Sequence, residues 1–184
     1  MMRTDRVSES DRVSDPDQPT ARGRTKRGWI AVAAVAGLLA VPVAIAAGDG
    51  GYAFVMMWGL LDPGWTGLGD GVHVYPIWAY LSNHPIGFEA LPASIRAWPV
   101  GFGFHVLALA SATSGATIGR EDRRVTGGLL VLAGLASVSV AFGITTRYGG
   151  IGTSPTTFVP LGAIVTWVVA FAIYGTDLRD LLGK

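Results

Sequence analysis

Four stretches of this chain are long and apolar enough to cross a lipid bilayer. A segment immersed in lipid must satisfy every backbone N–H and C=O internally, which leaves helices as the simplest answer. The stretches run over about 28–47, 97–118, 125–144 and 156–174, each close to the roughly 20 residues a hydrocarbon core demands of a helix. Trp29 and Trp98 stand at the mouths of the first two and Tyr174 ends the fourth, as interfacial aromatics do. Pro160 falls near the start of the last stretch, where its missing N–H costs a helix little. Only 15% of residues are charged, against about 25% in soluble domains. The expected fold is therefore all-α and integral to the membrane, a four-transmembrane-helix bundle.

The flanks supply orientation. Residues 1–27 hold no apolar run and are dense in Arg, Asp, Ser and Pro, so they read as a disordered cytoplasmic tail. Residues 28–176 form the membrane domain and 177–184 a short C-terminus. With the N-terminus inside, twelve Lys and Arg fall in the tail, the 119–124 loop and the C-terminus, while Arg96 and Arg147 fall outside. This asymmetry predicts a multi-pass cell-membrane protein with both termini cytoplasmic. Ala44-Ile45-Ala46 resembles a signal-cleavage site, but the apolar run exceeds the usual secretory core of about 7–15 residues and is read as a retained span.

The long external segment, 48–96, contains two apolar, aromatic stretches, 52–61 and 72–81, each too short to span. They predict a cap of short helices, interfacial or re-entrant. Trp58, Trp65, Trp78 and Trp98 lie in or beside it, which places the cap in the headgroup layer.

Candidate chemistry is sparse. His105 is the one ionisable residue well inside a span, and Gly101, Ala108 and Ala112 share its helical face. Small residues mark close helix packing, so His105 should point into the bundle. There it serves either a proton relay or a structural hydrogen bond to a neighbouring helix, and the structural role is the simpler account. In the cap, His73, His84, Asp62, Asp70 and Glu89 are the candidate catalytic or ligand residues. Their spacing matches no metal motif, and Asp62-Pro63 and Asn83-His84-Pro85 read as turns. Gly67-x-Gly69-x-Gly71 lacks the strand and helix of a nucleotide loop and reads as a turn. The chain has no cysteine, which excludes disulfides and thiolate metal sites. No metal, cofactor or nucleic-acid partner is expected. Membrane lipids are, together with another envelope membrane protein.

Several phrases carry a family likeness: Phe54-x-x-x-Trp58-Gly59-Leu60, Leu91-Pro92-x-x-x-Arg96-Ala97-Trp98-Pro99, Ala108-Leu109-Ala110-Ser111-Ala112, and the run Glu121–Leu135 beginning Glu-Asp-Arg-Arg-Val-Thr-Gly-Gly. Across 28–174 the chain resembles a haloarchaeal family of small multi-pass membrane proteins, some encoded near archaeosortase A. The resemblance implies no activity and transfers no functional residue; by association it implies work around lipid anchoring or envelope-protein processing. Archaeosortase chemistry needs a cysteine, which this chain lacks. The leading expectation is a non-enzymatic accessory or scaffold of the cell envelope. A membrane enzyme acting on lipid-linked substrates through the cap is one alternative, and a small proton-coupled carrier using His105 is another.

Overall fold

Three of the four apolar stretches fold as long helices, and the first does not. The computed structural model describes residues 21–48, 51–64, 71–83, 87–148 and 157–182. Within them the first stretch is divided between helix α1 (Ala21–Leu38) and strand β1 (Pro42–Gly48). Pro42 is the physical reason. It has no N–H to donate and its ring disfavours helical backbone at Val41. α1 accordingly unwinds through tight turn bonds from Leu39 N to Ala36 O at 3.1 Å and Ala40 N to Gly37 O at 3.0 Å. Beyond the proline, β-branched Val43 and Ile45 suit a pleated strand. Ala21–Arg27, expected to be disordered, forms the first turns of α1; residues 1–20 of that expected tail lie outside the described residues.

The expected cap holds strands beside its short helices. β2 (Gly51–Met56), β3 (Gly59–Asp62), β4 (His73–Pro76) and β5 (Thr157–Val159) join β1 in a five-stranded sheet of order β4-β3-β2-β1-β5. Every pairing is antiparallel. The all-α four-helix membrane bundle with a short-helical cap is thus overturned: the fold is helical with an antiparallel sheet. Among the described residues of this region, the short helices are α2 (Ile77–Ser82), a 3-10 turn at Phe88–Ala90 and α3 (Ala93–Arg96). Hydropathy cannot separate a buried strand from a buried helix in runs this short. One close approach fixes the sheet: a Cβ at Gly59 would collide with the Tyr75 carbonyl on β4.

α4 (Trp98–Ile118), α5 (Arg123–Tyr148) and α6 (Leu161–Leu182) form consecutive antiparallel hairpins. α1 packs mainly on α4 and only lightly on α6. Spans Ala93–Ile118, Arg123–Thr146 and Leu161–Asp180 are long and apolar enough to cross a membrane. They expose an apolar exterior that includes Leu107, Leu132, Phe142, Val168 and Phe171.

Two cores join these parts. One lies between sheet and helices, with Val43, Val55, Met57, Ile95, Trp98 and Val140. The other fills the helices near the opposite end, with Val35, Ala108, Ala112, Leu130, Ala170 and Tyr174. Indole N–H groups tie the elements together. Trp98 donates to the Met56 carbonyl at 3.2 Å and Trp58 to the Leu39 carbonyl at 2.9 Å. Trp98 is only 1% exposed, so it is a core strut and not a headgroup anchor, whereas Trp78 is exposed. Farther down, the Trp167 indole lies directly on Gly134 and donates to the Val131 carbonyl at 3.3 Å. Ser111 and Thr126 share a hydroxyl hydrogen bond of 2.6 Å between α4 and α5.

Candidate functional site

The end of the helices remote from the sheet gathers polar side chains from four separate stretches. α4 stops there at Gly119, whose φ of 71° is left-handed and whose N–H returns to the Gly115 carbonyl at 3.1 Å. Glycine meets that geometry without strain. Asp122 then caps α5, its Oδ1 accepting from Arg124 N at 3.1 Å and Val125 N at 3.3 Å. The tight turn leaves Glu121 folded onto α4, where a Cβ at Gly115 would strike the Glu121 side chain.

Arg123, the first residue of α5, is the hub. Its Nε donates to Asp177 Oδ2 at 3.0 Å and its Nη2 to the Ile173 carbonyl at 2.6 Å. Its Nη1 lies 3.8 Å from Glu121 Oε2, and its guanidinium sits 4.9 Å from the Tyr174 ring centroid. Planar Arg suits this combination of fork and aromatic stacking better than Lys. The Tyr174 hydroxyl faces the Glu121 carboxylate, yet neither it nor Glu121 Oε1, both buried, has a partner at hydrogen-bond distance. Beside the cluster is a cavity of about 650 Å³ lined by Arg27, Ile30, Glu121, Arg123, Ile173 and Asp177 among others. That volume lies within the range of small-molecule sites. Two guanidinium groups and two carboxylates line it, so its walls are balanced in formal charge and suited to binding by hydrogen bonds and ion pairs.

The residues singled out from the sequence fall elsewhere. His105 is 2% exposed and shares its buried face with Gly101, Ala108 and Ala112. Its Nδ1–H donates to the Gly101 carbonyl at 3.0 Å, so its partner is one turn back on its own helix and not on a neighbour. In the cap, the β3–β4 register sets Asp62 opposite His73. Asp62 is fully buried and accepts from Gly64 N at 3.1 Å, and the His73 ring stacks on Tyr75. Glu89 is not part of that pair: it meets Arg96 at 3.2 Å on the surface. Asp70 and His84 lie outside the described residues. Among the described residues, no three His, Asp or Glu side chains converge in a way that would hold a metal ion.

Glu121 and Arg123 stand two residues apart in the sequence, whereas nothing there marks Tyr174 and Asp177 as their partners. The available signal was topological. In an antiparallel hairpin the start of α5 meets the end of α6, so an Arg opening one helix and an Asp closing the next are brought together.

No curated protein and no solved structure matches the chain. A family model described as "Domain of unknown function (DUF8050)" matches residues 11–183. The match takes in α1, the sheet and all three long apolar helices. The chain therefore belongs to the DUF8050 family.

Proposed function

We propose that the protein is a non-enzymatic accessory of the cell envelope that works through contacts made by its outer sheet. In this reading α4, α5 and α6 cross the bilayer, and the polar end with Lys26, Arg27, Arg120, Arg123, Arg124 and Arg179 faces the cytoplasm. Positive charge retained on the cytoplasmic side supports that direction. An open sheet edge is not tolerated in hydrocarbon, which supports placing the sheet at or beyond the outer headgroups. The observation that carries the contact role is the β4–α2 edge. Val72 is 67%, Val74 50% and Trp78 65% exposed, on a sheet pinned to the helices by the Trp58 and Trp98 hydrogen bonds. Exposed apolar residues on and beside an edge strand form a surface that a partner chain covers.

Two experiments test this. Because the chain has no cysteine, single Cys variants report topology cleanly. Asn83→Cys should react with a membrane-impermeant maleimide on intact cells, and Arg124→Cys only after permeabilisation; the reverse pattern refutes the orientation. A photocrosslinking amino acid at Val74 or Trp78 should trap a discrete envelope protein that the same group at lipid-facing Val168 does not. Identical products from all three positions refute the contact surface.

An enzymatic role for the cap keeps one supporting observation, the opposition of Asp62 and His73 across β3 and β4. Loss of an envelope-processing phenotype in His73→Gln, with the protein still folded and inserted, would favour that second reading.

A further inference from the structure

The face of the sheet turned away from the helices is crossed by an apolar row. The ladder registers align Val159, Ile45, Phe54, Leu61 and Val74, one residue from each strand. The adjacent row holds Ala44 and Val55, buried against the helices, and successive residues of a strand point to opposite faces. The Ile45 row therefore points outward. Val74 and Val159 are about half exposed, and Tyr52, on the same face, packs edge-on to Phe54 at 5.3 Å. An antiparallel sheet whose second face meets water alternates in polar residues there; this row has none.

Contacts with three helices set the height of that face. The inner face rests on Val140, Ala141 and Ile144 of α5, Met57 packs on Gly101 of α4, and the backbone at Pro42 and Val43 lies against Gly162 of α6. Each of these helix residues falls within a stretch able to cross a membrane. At 1.5 Å per residue, Val140, Gly101 and Gly162 stand roughly 22–26 Å from the polar ends of their helices at Arg123, Ile118 and Asp177. A hydrocarbon core is about 30 Å thick. The foot of the sheet is thus level with the outermost acyl segments, and the row lies just above it.

The backbone at the foot is built for that depth, where carbonyls must be satisfied within the protein. The Leu39 carbonyl accepts from the Trp58 indole at 2.9 Å and the Met56 carbonyl from the Trp98 indole at 3.2 Å. The Trp58 carbonyl accepts from Ile77 N at 2.8 Å.

We propose that the outer lipid leaflet covers this face, with Ile45, Phe54 and Leu61 against the upper ends of the acyl chains and Tyr52 among the headgroups. The proposal rests on the reading that α4, α5 and α6 cross the bilayer, and it makes the sheet a further lipid-facing wall beside them. Val74 ends the row on the edge strand, where lipid gives way to the partner contact. Strand and residue spacings give the face roughly 300–500 Å². That is short of the roughly 800 Å² per partner in a stable protein interface, whereas a lipid contact has no such minimum.

The test uses a nitroxide on single Cys variants of the full chain, which has no other cysteine. Phe54→Cys and Val159→Cys sample the row. Val100→Cys, at an exposed site on α4, reports the same height, and Val168→Cys, at an exposed site on α6, the bilayer interior. Glu89→Cys, where the side chain is 89% exposed, reports the water-facing surface. The protein is reconstituted sparsely in vesicles of phosphatidylcholine and phosphatidylglycerol. Spin relaxation by oxygen, which concentrates in lipid, is then compared with relaxation by a water-soluble nickel chelate. The oxygen-to-nickel ratio at Phe54 and Val159 should match that at Val100 and exceed that at Glu89 several-fold, because a polar chelate is excluded from apolar surroundings. An unchanged SDS unfolding midpoint shows that each labelled variant keeps its fold. Nickel access at Phe54 and Val159 equal to that at Glu89, with Val168 still lipid-like, overturns the seating of the sheet and leaves the spans standing. Nickel access at Val168 as well refutes the spans, and the proposal with them. Exclusion of both reagents from the row means that protein covers the face, and also overturns the proposal.

Discussion

Gly134 and Gly128 lie on the same helix and have the same intrinsic backbone cost, yet the structure gives them opposite surroundings. A Cβ at Gly134 would enter the Trp167 indole, while one at Gly128 would meet nothing within 4 Å. Replacing each by Ala in turn therefore isolates packing from propensity. A collision with a side chain held by its hydrogen bond to the Val131 carbonyl should cost about 1–3 kcal/mol, the usual range for overpacking. If the indole swings away to make room, the lost hydrogen bond adds about 0.5–1.5 kcal/mol. Gly128→Ala should be neutral or gain up to about 1 kcal/mol from helix propensity. The measurement is reversible unfolding by SDS titration in mixed micelles, comparing the two variants with the parent. Adding Trp167→Ala removes the ring that blocks Gly134, so Gly134→Ala should cost much less in that background, a coupling a double-mutant cycle reads directly. Equal destabilisation by both alanines, or an undiminished cost of Gly134→Ala in the Trp167→Ala background, would refute the α5–α6 packing described above.

Three further outcomes follow from named contacts. Asp122→Ala removes the cap from Arg124 N and Val125 N and should lower stability by about 0.5–2 kcal/mol in the same titration. His105→Leu loses only the bond to the Gly101 carbonyl, so it should cost no more than about 0.5–1.5 kcal/mol. His105→Gln should behave alike, and a transport defect in either folded variant would instead favour the carrier alternative. Arg123→Lys cannot reach Asp177 and the Ile173 carbonyl while stacking on Tyr174 in the same fork geometry. It should destabilise the α5–α6 end by about 1–3 kcal/mol, as loss of hydrogen bonds to a charged group does, measurable as a lower SDS midpoint.

Helices α4, α5 and α6 were legible because uncharged runs with Trp98, Pro99 and the Glu121–Arg124 corner at their ends mark both composition and boundaries. The sheet was not, although two signals were present. Pro42 stands inside the first apolar run, and Val41, Val43 and Ile45 around it are β-branched; a reading by hydropathy alone passes over both. The cap stretches show the same ambiguity, since Tyr52–Met56 is apolar enough for either element and only its pairing with β1 and β3 makes it a strand. His105 was placed on its face by the small residues around it, but its partner was not, because a histidine can bond back within its own helix. The polar cavity was half legible. Its charges at 121–124 are contiguous in sequence, whereas Tyr174 and Asp177 join them only through the packing of α6 on α5.

The position of β5 carries a consequence for how such a chain is made. β1 has β2 on one side and β5 on the other, and the two neighbours are separated by α4 and α5 in the order of synthesis. While those helices are being made, Ile45, Ala46 and Ala47 present a row of amides and carbonyls awaiting Thr157, Phe158 and Val159. Until the ribosome delivers that last strand, the nascent protein exposes a sticky margin. A stall before residue 157 should leave an intermediate that assembly factors must shield.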